Sequence, residues 1–271
     1  MAHTVLTTGA NSGIGLATVL ELARRGFRSV GTVRSEAKAT IVREAAARAG
    51  IDVETVQLDV TDASGCARVI DELRPWALVN NAGYGINGAI EDVTDDDARR
   101  LLETMVIAPM RLARLALPHM RAAGGGRVVN VSSIYGRTTT PLTGWYQGAK
   151  HALEALSDAL RMEVAADGIA VVLVEPGGFR TGIWEEAERG AAAHPTSHYA
   201  AAYQRSLRSM RLWQPLMGDP ATVATVVGRA LDAWFPRARY LVGYDAQVIA
   251  LADQVVPTVV RDRIARLTLG L

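Results

Sequence analysis

The feature that most constrains this chain is a change of hydrophobic period that repeats along it. Apolar runs of strand length give way to longer stretches with helical spacing, and the exchange occurs six times. Strand-like runs fall at 5–7, 29–33, 53–58, 77–79, 127–131 and 170–174, and helix-like segments at 13–25, 36–49, 63–73, 95–122 and 144–165. A further helix is expected at 219–234, with a last strand at 239–242. Strands joined through helices run parallel, because a tight turn cannot return the chain to a parallel neighbour. The expected fold is therefore α/β: a doubly wound parallel sheet covered by helices on both faces, an α/β/α sandwich. The β-branched runs Val128-Val129 and 171–174 suit strands buried on both sides. The whole of 1–271 is read as one domain. The stretch 182–215 breaks the rhythm with small residues and scattered aromatics, and is expected to be an irregular lid. From 245 to 271 the tail is amphipathic.

Directly between the first strand and first helix stands Thr8-Gly9-Ala10-Asn11-Ser12-Gly13-Ile14-Gly15. Glycines there allow a tight turn, close approach of backbone to a phosphate, and close helix–strand packing. The helix N-terminus then presents free N–H groups to a pyrophosphate. Gly9, Asn11, Ser12, Gly13, Ile14 and Gly15 are the expected cradle. A dinucleotide fold reads the adenosine ribose at the tip of its second strand, with an acid for a free 2′-hydroxyl or an arginine for a 2′-phosphate. Here the strand ends Thr32-Val33-Arg34, with no acid. The guanidinium of Arg34 matches phosphate geometry, so NADP is expected, with NAD as the alternative.

Composition matters at one place. Of 29 basic residues only Lys38 and Lys150 are lysines. A lysine inside a motif is thus informative, and Lys150 lies four residues after Tyr146, on the same helix face. With seven tyrosines in the chain, such a pair arises by chance about one time in twenty. A phenol with pKa about 10 is a poor base at neutral pH. A lysine ammonium about 4 Å away would lower that pKa by roughly three units. Tyr146 could then serve as general acid or base.

With these motifs the chain resembles the short-chain dehydrogenase/reductase family, in its short single-domain branch, over about 5–181. The resemblance implies a Rossmann-type fold, an NAD or NADP cofactor, and interconversion of alcohols and carbonyls. It implies that Asp59 and Val60, in Leu58-Asp59-Val60, bind adenine. It implies that Asn81, Ala82 and Gly83, in Asn80-Asn81-Ala82-Gly83, hold the sheet edge open beside the ribose. Ser133, the second serine of Val131-Ser132-Ser133, becomes the group that polarises the carbonyl. Lys150 also binds the nicotinamide ribose. Pro176, Gly177, Phe179 and Thr181, in Pro176-Gly177-Gly178-Phe179-Arg180-Thr181, meet the carboxamide. The chain departs from the pattern once: Met105 stands where the family often has an asparagine that supports a kink and a relay water. A nucleotide-binding protein with vestigial catalysis is the alternative that this departure raises, and a non-redox epimerase or dehydratase is a more distant one.

The substrate is expected to be a small-molecule alcohol or carbonyl, hydrophobic because Trp145, Trp184 and Phe179 fall in candidate pocket segments with Ser133 and Tyr146. Arg137, Arg180 and His194 could instead bind an anionic tail. His194 and His198 lack companions for a metal set, so no metal is expected. A net charge of +1 with dispersed arginines argues against nucleic acid. No leader or membrane-spanning run stands out, and the single cysteine, Cys66, forms no disulfide within the chain. A cytoplasmic homodimer or homotetramer is expected. The tail, with Arg261, Arg263 and Arg266, could pack on the core, form a subunit interface, or touch a membrane surface.

Overall fold

The computed structural model describes residues 2–182, 190 and 194–271. Seven parallel strands form one sheet in the order β3-β2-β1-β4-β5-β6-β7. They are β1 (Thr4–Thr7), β2 (Arg28–Val33), β3 (Glu54–Gln57), β4 (Ala77–Asn80), β5 (Gly126–Val131), β6 (Ile169–Pro176) and β7 (Arg239–Val242). The order reverses between β1 and β4, the switch point where open α/β sheets bind ligands beyond their carboxyl ends.

Alternation along the strands builds two cores. Leu6, Leu78, Val128 and Val171 lie in register across four strands. They pack with Cys66 and Ile70 of the helix Ala63–Leu73 and with Leu112 and Met120 of the helix Ala108–Ala122. Val5, Val79, Val129 and Val172 point the other way, onto Leu22 of helix Gly13–Arg24 and Val223, Val227 and Leu231 of helix Pro220–Asp232. Numbered in chain order, the helices are α1 (Gly13–Arg24), α2 (Glu36–Ala49), α3 (Ala63–Leu73), α4 (Asp95–Leu102), α5 (Ala108–Ala122), α6 (Gly144–Glu163), α7 (Ala200–Trp213), α8 (Pro220–Asp232), α9 (Tyr244–Val255) and α10 (Thr258–Leu269).

Three places differ from the sequence reading. The segment expected as one helix at 95–122 is α4 and α5 joined by a π-helical turn, Glu103–Ile107, centred on Met105. The last part of the stretch read as irregular is the regular helix α7, whose Tyr203 is fully buried and bonds Asp92 Oδ2 at 2.7 Å. The tail is two helices, α9 and α10, separated at Pro257, which cannot continue the first.

Candidate active site

The site assembles at the carboxyl edge of the sheet, where the turns after β1, β4, β5 and β6 converge. A Cβ at Gly15 would collide with the Gly9 carbonyl oxygen and lie 2.5 Å from Asn81 Nδ2, so only glycine fits. Gly13 has φ +51°, a conformation glycine adopts without strain, and its backbone packs beside Thr181 Cγ2. Ser12 sits at the N-cap of α1 and makes no side-chain capping bond, leaving that role to a ligand or water. The turn after β1 and the segment after β6 are thus adjacent around a helix N-terminus suited to an anion. Ile14 lies close by, partly buried on the core.

Asn81 donates from Nδ2 to the carbonyls of Thr8 and Gly9, at 3.0 and 3.3 Å. The Thr8 hydroxyl in turn accepts from the backbone N–H groups of Asn81 and Ala82, each at 2.9 Å. These bonds pin the β1 and β4 turns to each other. At the outer end of the groove Arg34 is exposed and makes no ion pair among the described residues. The carboxylate of Asp59 accepts from Thr61 N, and that bond, assisted by the nearby charge of Arg34, holds its pKa below the usual range. Val60 buries its side chain and uses its carbonyl to accept from Arg111 at 3.1 Å.

Ser133, Tyr146 and Lys150 come together. Ser133 ends the segment after β5, and its hydroxyl accepts from Tyr135 N at 3.2 Å. Tyr146 and Lys150 lie on one face of α6. Lys150 Nζ is 5.8 Å from the Tyr146 ring centre and donates to the Val131 carbonyl at 2.8 Å. Burial pushes the Tyr146 phenol up to about 12, against a lowering hydrogen bond with Ser133. Burial also lowers the Lys150 ammonium to about 8, with the charge of Glu154 opposing that shift. In the protein alone burial sets the direction of the phenol's shift, upward where the lysine was expected to lower it, and the ammonium donates its hydrogen bond to β5.

Trp145, Tyr84 and Ile86 pack, partly buried, against the same apolar cluster around Met105 and Ala149 that the Tyr146 ring joins. Trp184 lies outside the described residues. The ring of Phe179 is buried in the core with Val223 and Val242. Arg137 forks onto Glu175 at 2.6 and 3.0 Å, a structural pair rather than an anion site. Arg180 faces Asp219 at 3.8 Å, and His194 stacks on Tyr203 at 5.8 Å. Met105 is buried, and a Cβ added at Gly83 would meet its side chain at 3.4 Å, ordinary contact distance.

Two features carried no sequence signal. Asp245 of α9 accepts from Gly178 N at 2.6 Å, fixing the turn after β6 from 67 residues away. Behind Lys150, buried Glu154 and Glu175 share Arg239, each at 3.1 Å, and Ser132 lies against Glu154. Pairing across such separations leaves no motif. Among the described residues no cluster of His, Cys, Asp or Glu is placed to hold a metal, and no helix is long and apolar enough to cross a membrane.

Comparison with known proteins gives the same reading. The family model for short chain dehydrogenases matches residues 3–192. Retinol dehydrogenase 5 of Homo sapiens is 32% identical, covering 96% of this chain and 86% of its own. The NADPH-dependent 3-dehydrocapnine reductase of Ornithobacterium rhinotracheale is 30% identical, covering 96% and 94%. A solved short-chain dehydrogenase from Streptomyces avermitilis is 32% identical, superposes with TM-score 0.79, and covers 99% of this chain and 97% of its own. The chain belongs to the short-chain dehydrogenase family and is an NAD(P)-dependent oxidoreductase with a Rossmann-type fold.

Proposed function

We propose that this enzyme uses NADP(H) to interconvert a hydrophobic secondary alcohol and its ketone. The observation that carries the reading is the meeting of Ser133, Tyr146 and Lys150 at the carboxyl edge of the sheet, with the Tyr146 ring in an apolar cluster. Gly9, Asn11, Ser12, Gly13, Ile14 and Gly15 would hold the pyrophosphate. Arg34 would hold the 2′-phosphate, and Asp59 with Val60 the adenine. Asn81, Ala82 and Gly83 would flank the ribose, and the backbone of Pro176, Gly177 and Phe179 with Thr181 would meet the carboxamide. When bound, the nicotinamide supplies or accepts the hydride.

The chain's own groups handle the proton. Ser133 donates a hydrogen bond to the carbonyl oxygen and favours negative charge developing there. Tyr146 gives its proton to that oxygen. A phenol held at about 12 keeps its proton at neutral pH, so the resting site is charged for reduction. Lys150 provides positive charge next to the phenolate left behind and stabilises it. Trp145, Tyr84 and Ile86 receive the apolar body of the substrate. The NADPH-dependent relative and the exposed, unpaired Arg34 both favour NADP over NAD.

The test is steady-state kinetics with NADPH and NADH on a panel of hydrophobic ketones. Tyr146→Phe is expected to lose at least about a hundredfold in kcat, the scale of one general acid, while still binding NADPH. Equal or better kcat/KM with NADH would sink the cofactor assignment. Undiminished turnover by the Phe variant would sink the role of Tyr146.

A further inference from the structure

Most soluble surfaces scatter their large apolar side chains singly. Here twelve of the nineteen exposed large hydrophobics among the described residues fall in two short spans, 212–216 and 244–271. The spacing is ordered. In α9, Tyr244, Val248, Leu251 and Val255 recur at four, three and four residues, a stripe within about 60° of the helix circumference at 100° per residue. The opposite face of α9 holds buried Ala246 and Ala250. In α10, Val260, Ile264 and Leu267 recur at four and three residues along one face, and buried Leu269 marks the opposite face. Each helix is thus apolar on two sides, and only one of them is covered.

Charge says what suits the uncovered side. Helices α7, α9 and α10 carry six arginines, three of them on α7, against three aspartates, a net +3 in a chain whose total is +1. Arg263 flanks the α10 stripe on one side and Arg261, paired with Asp253, on the other, while Asp262 projects from the far side. Long arginine side chains beside an apolar stripe can extend their heads into a phosphate layer while their stems lie on hydrocarbon. Leu212 and Trp213, at the end of α7, are exposed next to Arg208 and Arg211, and tryptophan beside basic residues is characteristic of a membrane interface.

These elements are joined to one another and to the site. Arg205 donates to the Leu269 carbonyl at 2.9 Å, and Arg261 pairs with Asp253, linking α7, α10 and α9. At the root of α9, Asp245 caps Gly178 and Ala246 packs on Ile134, the neighbour of Ser133. We infer that the uncovered stripes of α9 and α10, with Leu212 and Trp213, seat the enzyme on an anionic bilayer surface beside its substrate entrance. The inference rests on the hydrophobic-substrate reading above, since a bilayer is where such a ketone or alcohol would be dissolved.

The experiment is co-sedimentation of the full chain with vesicles of phosphatidylcholine alone or mixed equally with phosphatidylglycerol. Binding at least about tenfold tighter to the anionic vesicles at low salt is expected, since each arginine near such a surface contributes about a fivefold factor. Leu251→Glu combined with Ile264→Glu should abolish sedimentation, while the far-UV spectrum and turnover of a short, water-soluble ketone stay as in the parent. Failure of the parent to bind either vesicle would overturn the inference. So would light scattering showing that the stripes are buried in an oligomer that the double variant dissolves. Sedimentation needs no turnover, so it can fail while carbonyl reduction stands. Absence of reduction on every ketone would instead sink the catalytic reading and leave the binding result intact.

Discussion

Lys150 is 7% exposed and carries an ammonium whose pKa falls from 10.5 to about 8. A shift of that size means the folded chain holds the charged form at a cost of about 3 kcal/mol relative to the unfolded one. The cost applies in full at pH 7, where both states are protonated. Between about 8 and 10.5 the unfolded chain still binds the proton that the folded chain has released, so stability rises with pH across that window. Lys150→Met removes the penalty and also the bond to Val131, which contributes about 1 kcal/mol. The variant should therefore be inactive yet more stable by about 2 kcal/mol at pH 7, with the gain shrinking above pH 8. Thermal melts at pH 7 and pH 10 measure it, and a lower melting point for the methionine variant at pH 7 would refute it. The pairing of Tyr146 with Lys150 was legible because both sit on one helix, four residues apart. The direction of the phenol's shift was not, because it depends on burial supplied by segments distant in sequence.

At the scale of the element, the π-helical turn at Glu103–Ile107 is the instructive case. The family asparagine is associated with a kink at this place, yet the kink persists with methionine. Ala108 N reaches the Glu103 carbonyl, and Met105 is fitted among Leu101, Val106, Ala149 and Trp145. Packing holds the turn, so a polar side chain is not needed to form it. Met105→Asn is accordingly expected to keep the turn and to be at least as active as the parent. Placing an amide in that apolar cluster should cost about 2 kcal/mol of stability. Kinetics and melting followed on the same sample decide the matter, and a sharp loss of turnover in a folded variant would contradict it. Helix α7 teaches a related lesson. Tyr199, Ala202, Tyr203, Leu207 and Met210 carry a helical period, but the surrounding glycine, proline and histidine obscured it. Its partners Ala89, Leu142 and Leu269 come from three separate parts of the chain. Strand-and-helix rhythm reads well where the core is local, and poorly where an element is held by a distant patch.

Across the whole molecule, the parallel sheet covered on both faces followed from period, but its strand order and the charges that tie its far edge to α6 did not. Glu175 on β6 is fully buried between Arg137 and Arg239. Arg239 on β7 also binds Glu154 and Asp158 of α6, and Arg161 binds Asp158. Three carboxylates and three guanidinium groups from four segments thus close behind Lys150. Removing one member strands a charge: Arg137→Met leaves Glu175 with half its compensation, and breaking a buried pair typically costs about 3–5 kcal/mol. For a chain of this size that is a drop of about 10 °C in melting temperature. Removing Arg137 and Glu175 together leaves Arg161 and Arg239 facing Glu154 and Asp158, again balanced. Arg137→Met with Glu175→Leu should therefore recover most of the loss, since apolar residues of similar volume often replace a buried pair without penalty. A double-mutant cycle measured by denaturant unfolding gives the coupling directly. If the double variant is as unstable as the two single losses added, the groups act independently, and the cluster is not the unit that braces this edge of the sheet.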